Sequence, residues 1–366
     1  MRGPSTVPDF YIRRMVIHPG GRKGAVFMSS SPKKQAHAKG SPLGRILRGL
    51  YIILFAVSLV VVVAFVALKI FAPAPDVPNQ VEFTFRPLQS DAPEQPTGGA
   101  EEDPSSPKLV LNRREGVYTC LLLGVADQGG SDTIMLGVFD TGAKTASLIS
   151  IPRDTVVRYN GSYSKINAVY SYGGVDAVRD CVSEMLAVPI DYYVSVNTRA
   201  FREIVNEIGG VYFNVPVRMD YEDPYGDLYI HIAPGYQLLN GRQAEGVVRC
   251  RSCYASADIG RAATQRAFLV ALAKQTITLS NVTKVTSLIN ILNTYVESDM
   301  PLNYMVFFGT QAVGMDLDTA MNTAGLEGEW ISPYWELDDD AILELVNSLG
   351  VYQEEVPAEV LNIIHP

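Results

Sequence analysis

The sequence predicts an α/β fold: an α-β-α sandwich whose mixed central sheet carries helices on both faces, preceded by one transmembrane helix. The first observation is that short apolar runs alternate with stretches of helical periodicity from about residue 108 onward. The second is one uncharged apolar segment of 20 residues, Gly49–Leu68. The third is that 47% of the 366 residues are hydrophobic, which excludes global disorder and suffices for one or two domains.

Strands and helices follow one another along the predicted domain. Strands are predicted over Val117–Val125, Asp132–Phe139, Thr145–Ile151, Ile190–Val196, Val211–Val217, Leu228–Ala233 and Gly246–Arg251. Helices are predicted after Gly173-Gly174, after the capping residue Asn197, from about Gly260 to Thr278, and through most of residues 282–349, with a loop around Gly325–Tyr334. Because strands alternate with helices, we expect one domain with a helix-covered mixed sheet.

The first 107 residues divide into three predicted segments. Residues 1–48 carry ten Lys and Arg against one acid and are expected to form a basic cytoplasmic tail. Residues 49–71 are the predicted anchor, because 20 apolar residues span about 30 Å as a helix and exceed the apolar region of a signal peptide. Residues 72–107 hold eight prolines and seven acids, which is typical of an extended linker. We therefore expect a single-pass protein of the cell membrane, with residues 108–366 as a domain outside the cell.

The charge balance excludes one class of partner. From residue 72 onward there are 19 basic and 38 acidic residues, a net charge of −19. Because a surface this acidic repels the phosphates of nucleic acid, no nucleic-acid partner is expected. An anion that binds here has to meet a local group of arginines or a metal ion.

The four cysteines do not indicate a disulfide scaffold. Cys120 and Cys181 fall on apolar faces of predicted elements and are expected in the core. Cys250 and Cys253 form a lone C-x-x-C without a second pair of ligands or a nearby histidine, so metal binding is not expected. The pair is interpreted either as a local redox pair or as two thiols.

Two acids flank a glycine-rich turn between the first two predicted strands. Asp127 and Asp132 lie on either side of Gly129-Gly130, so their carboxylates can converge on one point. Mg²⁺ binds one or two carboxylates and completes its shell with water and phosphate oxygens. The alternative, which these residues alone favour, is a hairpin turn in which the Asp side chains bind the backbone.

Two further polar segments follow the third predicted strand. A guanidinium at Arg153 suits bidentate binding of phosphate, and Asp154 suits orienting an arginine or accepting a proton. Lys165 is a candidate phosphate contact, with Asn167 as a hydrogen-bonding neighbour. The alternatives are a surface ion pair for Arg153 and Asp154, and solvated loop side chains for Lys165 and Asn167.

The fourth polar segment carries most of the functional prediction. Arg249 and Arg251 stand at i and i+2 of a predicted strand, which places both on one face, where they repel each other unless an anion lies between them. Arg261 and Gln265 share one face of the following helix. These residues together predict a phosphate site. The alternative is a structural ion-pair network with acids such as Asp154 and Asp258.

These segments together resemble the LytR-CpsA-Psr family of cell-envelope proteins. The resemblance runs from about Cys120 to Gln265, with a further similar stretch at Glu327–Asn347. The motifs that carry it are Ser131-Asp-Thr, Ser150-Ile-Pro-Arg-Asp-Thr, Lys165-Ile-Asn-Ala, Gly173-Gly174, Ile208-Gly-Gly-Val, Gly235-Tyr-Gln-Leu-Leu-Asn-Gly-Arg-Gln-Ala, Val248-Arg-Cys-Arg and Asp258-Ile-Gly-Arg-Ala-Ala-Thr-Gln. Their order and spacing make the set specific, although each motif alone is weak.

The resemblance implies a Mg²⁺-dependent phosphotransferase that moves a glycopolymer from an undecaprenyl-pyrophosphate carrier to peptidoglycan, forming a phosphodiester at a muramic acid 6-hydroxyl. It implies Asp127 and Asp132 as Mg²⁺ ligands, and Asp154 as the group that orients the arginines or acts as base. It implies an apolar tunnel for the polyprenyl chain. The residues implied to hold the pyrophosphate are Arg153, Lys165, Arg249, Arg251, Arg261 and Gln265. The residues implied to act in catalysis are Arg153, Asp154, Arg249 and Arg251.

One departure from the family pattern leaves other functions open. The family commonly has arginines two residues after the first Asp and directly before Ser-Asp-Thr, where this chain has Gly129 and Gly130. The alternatives are a non-catalytic polyprenyl-phosphate binding or scaffold protein, and a polyprenyl-pyrophosphate pyrophosphatase. A membrane-tethered transcription attenuator is disfavoured, because residues 1–48 show no helix-turn-helix pattern.

Overall fold

The computed structural model describes residues 72–84, 108–125, 130–224, 228–276, 285–313 and 315–366. The predicted cytoplasmic tail and membrane anchor lie outside these ranges, and so does most of the predicted linker. No helix in the described ranges combines the length and apolar composition that crossing a bilayer requires.

The strands of these ranges are β1 (Gln80–Thr84), β2 (Lys108–Asn112), β3 (Val117–Val125), β4 (Ser131–Asp140), β5 (Thr145–Ile151), β6 (Val156–Tyr159), β7 (Ser162–Lys165), β8 (Tyr192–Asn197), β9 (Val211–Val215), β10 (Met219–Asp223), β11 (Leu228–Ile232), β12 (Gly235–Leu239), β13 (Val296–Ser298), β14 (Met321–Gly325), β15 (Gly328–Ile331) and β16 (Tyr334–Leu337). The helices are α1 (Ile166–Leu186), α2 (Thr198–Ile208), α3 (Gly241–Arg249), α4 (Asp258–Thr276), α5 (Val285–Tyr295), α6 (Leu302–Ala312), α7 (Leu317–Ala320) and α8 (Asp339–Ser348).

Six strands form the central sheet in the order β13-β8-β3-β4-β5-β14. β3 is parallel to β8 and β5 to β14, while the remaining neighbours are antiparallel. The predicted mixed sheet is therefore confirmed. Its central strands β3, β4 and β5 are the apolar runs near 117–151, which are hydrophobic because they lie between layers of other elements.

Helices α1 and α8 cover one face of the sheet. Leu121 and Leu136 point to this side and pack with Val178 of α1 and Ile342 of α8, all without measurable exposure. Truncating a side chain buried to this degree costs about 2–5 kcal/mol for Leu→Ala, so this layer holds much of the stability of the fold.

Helix α1 bends at Gly174. The predicted helix after Gly173-Gly174 is its second part, and Ile166–Gly173 add a first part that the sequence analysis missed. Gly174 has φ 69°, a left-handed conformation that favours glycine and interrupts the helix. At Gly173 a Cβ would lie 2.3 Å from the Tyr159 hydroxyl, so only glycine fits against β6.

The opposite face of the sheet meets a second layer with its own core. This layer contains α2, α3, α4 and the antiparallel pairs β9–β12 and β10–β11. Phe268 of α4 is its fully buried centre, with its ring centroid 5.6 Å from that of Phe201 and 5.3 Å from that of Phe213. Helices therefore lie on both faces of the sheet, as predicted.

The predicted strand over Gly246–Arg251 is wrong, because these residues end helix α3 and begin the next turn. Asn240 and Gln243 form a capping box, in which each side chain binds the other residue's backbone N–H. This start signal commits the chain to a helix, whereas the local Val247-Val248 pair favours a strand. The helix ends at Arg249, so Arg249 and Arg251 do not share a strand face.

Two other segments differ from the sequence prediction. The folded part begins before the predicted boundary at Lys108, because Ala72 is buried against Tyr118 and β1 pairs with β2. The loop predicted around Gly325–Tyr334 contains the end of β14 and the β15–β16 hairpin. β1 and β14 form by pairing with strands distant in sequence, which local pattern does not reveal, whereas β15 and β16 pair with each other across a short turn.

We predict that the ion pair between Arg113 and Asp191 is needed for stability. Both side chains are at least 95% buried, and Asp191 also accepts from the Thr119 backbone N–H at 2.8 Å. Asp191→Ala leaves a buried guanidinium uncompensated and is expected to lower the free energy of unfolding by about 3–5 kcal/mol, measured by urea denaturation.

The matched control for that change is Glu82→Ala, which removes an acid that pairs with Lys108 at 2.6 Å, both side chains being about half exposed. Its expected cost is below about 1 kcal/mol. Equal losses in the two variants would contradict the assignment of a structural role to the buried pair.

Candidate active site

An apolar cavity of about 600 Å³ lies between the central sheet and the second layer. Leu122 of β3 and Met135 of β4 line it from the sheet side, alternating with neighbours that point to α1. Helices α2 and α4 close the other side with Phe201, Ile204 and Leu269. The two layers thus fail to meet in the middle and leave a largely apolar space.

A larger polar cleft of about 1230 Å³ adjoins this cavity. It extends from the ends of β4 and β5 to the β15–β16 hairpin and the start of α8. Four charged or polar residues of the predicted site line both spaces: Asp132, Arg251, Arg261 and Gln265. Arg249 lines only the cavity, whereas Arg153 and Asp154 line only the cleft.

The arginine of the β5 end is held by acids on its own side of the cleft. Arg153 donates through Nη1 to the Asp132 carboxylate, and its Nε lies 3.9 Å from Asp154. Asp154 is buried and forms an ion pair of 2.9 Å with Lys165. The Lys165 ammonium also lies 5.5 Å from the centroid of the Trp330 ring. The predicted residues Arg153, Asp154 and Lys165 are therefore brought together.

The α3 and α4 arginines are paired as well. Arg249 donates to Glu245 at 2.7 Å, four residues earlier on the same helix. Arg251 and Arg261 share the Asp258 carboxylate, at 3.4 and 2.8 Å. The predicted juxtaposition of two uncompensated guanidiniums is thus wrong, because each arginine has an acidic partner.

These acidic partners leave part of the donor capacity unused. The Nε atoms of Arg153 and Arg261 are buried and have no hydrogen-bond partner in the described part of the chain. Burial lowers the pKa of Arg261, although Asp258 and Asp132 counteract this effect. Arg113 and Arg179, which line neither the cavity nor the cleft, have the same kind of unpaired Nε within the described residues. The junction is therefore suited to an anion by its several guanidiniums together, and not by these two donors alone.

Gln265 contributes mainly to the position of its neighbours. Its Nε2 donates to the Val248 carbonyl at 2.9 Å, which ties α4 to the last turn of α3. Arg261 similarly donates to the Asp132 backbone carbonyl at 3.1 Å and so ties α4 to β4. The two bonds fix the three elements that surround the junction of cavity and cleft.

The predicted metal pair is only partly described. Asp127 lies outside the described residues, and the Asp132 side chain is about half exposed and bound by Arg153. Among the residues that the structure describes, no group of three or more His, Cys, Asp or Glu is arranged to hold a metal ion. Mg²⁺ can use one or two carboxylates with phosphate oxygens, so Asp132 fits as a single ligand beside an anion site.

Cys250 and Cys253 form a disulfide. The interpretation of the C-x-x-C as two free thiols is therefore wrong, and the interpretation as a local redox pair, here in its oxidised form, remains. Cys250 is buried, and the bridge closes the turn that carries Arg251. Cys120 and Cys181 pack partly buried, and burial raises the pKa of their thiols to about 12 and about 11. At neutral pH both thiols are therefore protonated and poorly reactive.

Sequence analysis missed two charged groups of the site. Glu245 is buried and binds both Arg249 and Arg202, and its spacing of four residues from Arg249 was an available signal. Arg266 of α4 lines the cleft and donates through Nη1 to the Ser150 hydroxyl at 2.8 Å. Its position next to Gln265 gives no indication of this, because neighbouring helical residues point in different directions.

Comparison with known proteins identifies the family. The model of the LytR_cpsA_psr family matches residues 84–349. TagV of Bacillus subtilis, a polyisoprenyl-teichoic acid–peptidoglycan teichoic acid transferase, is 32% identical over 202 residues, 52% of this chain and 52% of its own. TagT of the same organism, another polyisoprenyl-teichoic acid–peptidoglycan teichoic acid transferase, is 31% identical over 253 residues. The match covers 64% of this chain and 77% of TagT.

Solved structures of members of this family have a similar fold. The crystal structure of B. subtilis TagV superposes with a TM-score of 0.59 and 28% identity, covering 67% of this chain and all of TagV as crystallised. The structure of TagT bound to LI-WTA gives a TM-score of 0.53 and 25% identity, covering 64% of this chain and 90% of that one. The aligned part spans about half the length of the first full-length relatives it matches. Because the family match extends over most of the sequence, the chain belongs to the LytR-CpsA-Psr family.

Proposed function

We propose that this protein is a membrane-anchored phosphotransferase that moves a glycopolymer from an undecaprenyl-pyrophosphate carrier to peptidoglycan outside the cell. The observation that carries the proposal is the group of arginines at the junction of an apolar cavity with a cleft that is lined by both arginines and acids. A lipid pyrophosphate needs both environments side by side. TagV and TagT are teichoic acid transferases, and TagT has been solved bound to LI-WTA, which supports the same class of substrate here.

The cavity is the proposed site of the lipid. Its walls are apolar side chains from β3, β4, β8, α2 and α4, which suit the isoprenoid units nearest the pyrophosphate. Arg249 stands on the cavity side, and Arg251 and Arg261 stand at the junction. In this arrangement the pyrophosphate lies at the junction, with the glycopolymer in the cleft.

The proposed reaction is a displacement at the phosphorus that carries the glycopolymer. The oxygen of the muramic acid 6-hydroxyl forms a bond to this phosphorus, the bond to the bridging oxygen breaks, and polyprenyl phosphate leaves. The hydroxyl proton passes to a base. Phosphoryl transfer of this kind depends on positioning and on neutralising charge, which the guanidiniums of Arg153, Arg251 and Arg261 supply.

Asp154 is assigned a positioning role. Its carboxylate is buried and faces the Lys165 ammonium at 2.9 Å and Arg153 Nε at 3.9 Å. A carboxylate with a cation on either side is held in one orientation and in turn fixes the position of both cations. This surrounding favours the orienting role over the role of base.

Mg²⁺ is the proposed cofactor, held by Asp132 and Asp127. The half-exposed Asp132 carboxylate at the junction of cavity and cleft supports this assignment. A bound Mg²⁺ would neutralise part of the pyrophosphate charge.

A transfer assay tests the proposed function. The full chain in detergent is mixed with a polyprenyl-pyrophosphate-linked glycopolymer and peptidoglycan, and both the released polyprenyl phosphate and the glycopolymer–peptidoglycan product are measured. Release together with product supports the transferase. Cleavage of the donor without product identifies a pyrophosphatase, and donor binding with neither change identifies a scaffold protein; each of these contradicts the proposal.

Arg251→Ala is expected to lower transfer by about ten- to a hundredfold. A charge-assisted hydrogen bond to an anion is worth about 1.5–3 kcal/mol, and Arg251 faces both the cavity and the cleft. Because its side chain is about half exposed, the melting temperature is expected to change little. Arg218→Ala, at a largely exposed arginine, is the control and should leave transfer unchanged. A loss of stability without loss of transfer would assign Arg251 to structure alone.

Leu269→Trp is expected to weaken binding of a long-chain donor, because the larger indole side chain occupies part of the cavity. Binding of inorganic pyrophosphate, which needs no lipid site, should persist in the same variant, as measured by calorimetry. Leu238→Trp, at an exposed position of β12, is the size-matched control. If the long-chain donor still binds Leu269→Trp with normal affinity, the cavity is not the lipid site.

Chelation with EDTA is expected to stop transfer, and added Mg²⁺ is expected to restore it. Asp132→Asn should raise the Mg²⁺ concentration needed for half-maximal transfer, because one carboxylate ligand is lost. Asp176→Asn, at a strongly exposed acid, should leave that concentration unchanged. Full activity in EDTA would contradict the metal assignment.

A further inference from the structure

Arg266 differs from the other arginines that line the cavity and the cleft. Arg153, Arg249, Arg251 and Arg261 each have a carboxylate within 4.0 Å. Within the described ranges, Arg266 has none, and its hydrogen bond goes to the neutral Ser150 hydroxyl. The guanidinium has five N–H donors, so one hydroxyl leaves most of its donor capacity unused.

The surroundings of Arg266 make this unpaired charge unfavourable in the empty site. The side chain is partly buried, and burial lowers the pKa of the guanidinium with no acid counteracting it. A partly buried cation without a counter-charge is destabilising in a protein. An anion that enters the cleft would supply the counter-charge that Arg266 does not receive from the described acids.

The position of Arg266 indicates which anion it meets. Arg266 lines the cleft and not the cavity, Arg249 lines the cavity and not the cleft, and Arg251 and Arg261 line both. One arginine therefore stands on the cavity side, two stand at the junction, and Arg266 stands with Arg153 on the cleft side; of these two, Arg153 is already bound to Asp132. Gly325 of β14 leaves room for the guanidinium, since a Cβ there would lie 3.2 Å from Arg266 Nη1.

We infer that Arg266 binds the phosphate that carries the glycopolymer, the one distal to the lipid, and thereby distinguishes the pyrophosphate donor from the monophosphate product. This inference rests on the proposed function. The released polyprenyl phosphate retains only the phosphate next to the lipid, which lies within reach of Arg249, Arg251 and Arg261. Arg266 thus strengthens binding of the donor and contributes nothing to binding of the product, which favours product release.

The test compares two ligands of equal chain length, polyprenyl pyrophosphate and polyprenyl monophosphate, bound to the full chain in detergent. Wild type is expected to bind the pyrophosphate more tightly. Arg266→Gln, which retains a donor for Ser150, is expected to lose tenfold or more in affinity for the pyrophosphate and less than twofold for the monophosphate. Arg249→Gln is expected to weaken the binding of both ligands. Arg218→Gln is expected to change the binding of neither.

Two further variants address stability and charge. Arg266→Lys keeps the charge and should retain part of the preference for pyrophosphate. Gly325→Ala crowds the guanidinium without removing it and should reduce the preference, which keeps the test valid should Arg266→Gln fail to fold.

The outcomes separate this inference from the proposed function. If Arg266→Gln keeps the wild-type preference, or loses affinity equally for both ligands, Arg266 does not bind the distal phosphate. If wild type binds both ligands equally, this inference fails and the proposed function stands. If wild type does not bind the pyrophosphate at all, the pyrophosphate donor of the proposed function is contradicted, and this inference falls with it.

Discussion

The carboxylate of Asp258 organises the junction on which the rest of the site depends. It binds Arg251 and Arg261, and Arg261 in turn reaches the Asp132 carbonyl on β4. One acid thereby links the turn after α3, the start of α4 and the first residues of the central strand β4. Without such pairing, several guanidiniums at one point would repel one another and the junction would open. The surrounding acidity of the domain thus serves to assemble a cationic site.

A second constraint comes from the way the two cores are divided. On one face of the sheet, α1 and α8 share a core with the strands, whereas on the other face the second layer has its own core around Phe268, which contains no residue of the central sheet. The apolar space that remains forfeits contacts that close packing would supply. A cavity of this size between two layers that each have their own core is best explained by an apolar ligand.

The sequence predicted the central strands better than the elements around them. β3, β4 and β5 are long apolar runs, so local pattern suffices for them. β13 and β14 are short and form only because β8 and β5 offer partners distant in sequence. The segment predicted as a strand over Gly246–Arg251 contains the end of helix α3, whose start is marked by the Asn240 and Gln243 capping box.

Residue type and motif were enough to identify the candidate residues, but they did not predict how these residues are arranged in space. Alternation along a strand put Arg249 and Arg251 on one face, whereas the helix end puts Arg249 toward the cavity and Arg251 at the junction. Arg266 and Glu245 escaped notice, because only the folded chain brings Ser150 to the first and Arg202 to the second. Residue type and motif therefore locate a site, while its internal order depends on tertiary contacts.

The structural and functional interpretations of the arginine cluster are compatible. A carboxylate partner occupies one or two of the five donors of a guanidinium and holds its plane in place. The remaining donors, such as the buried Nε of Arg153 and Arg261, stay available to an incoming oxygen. The ion pairs thus fix the side chains before the anion arrives, so less conformational entropy is lost on binding. A network of this kind stabilises the empty domain and preorganises it for a doubly charged ligand in the same contacts.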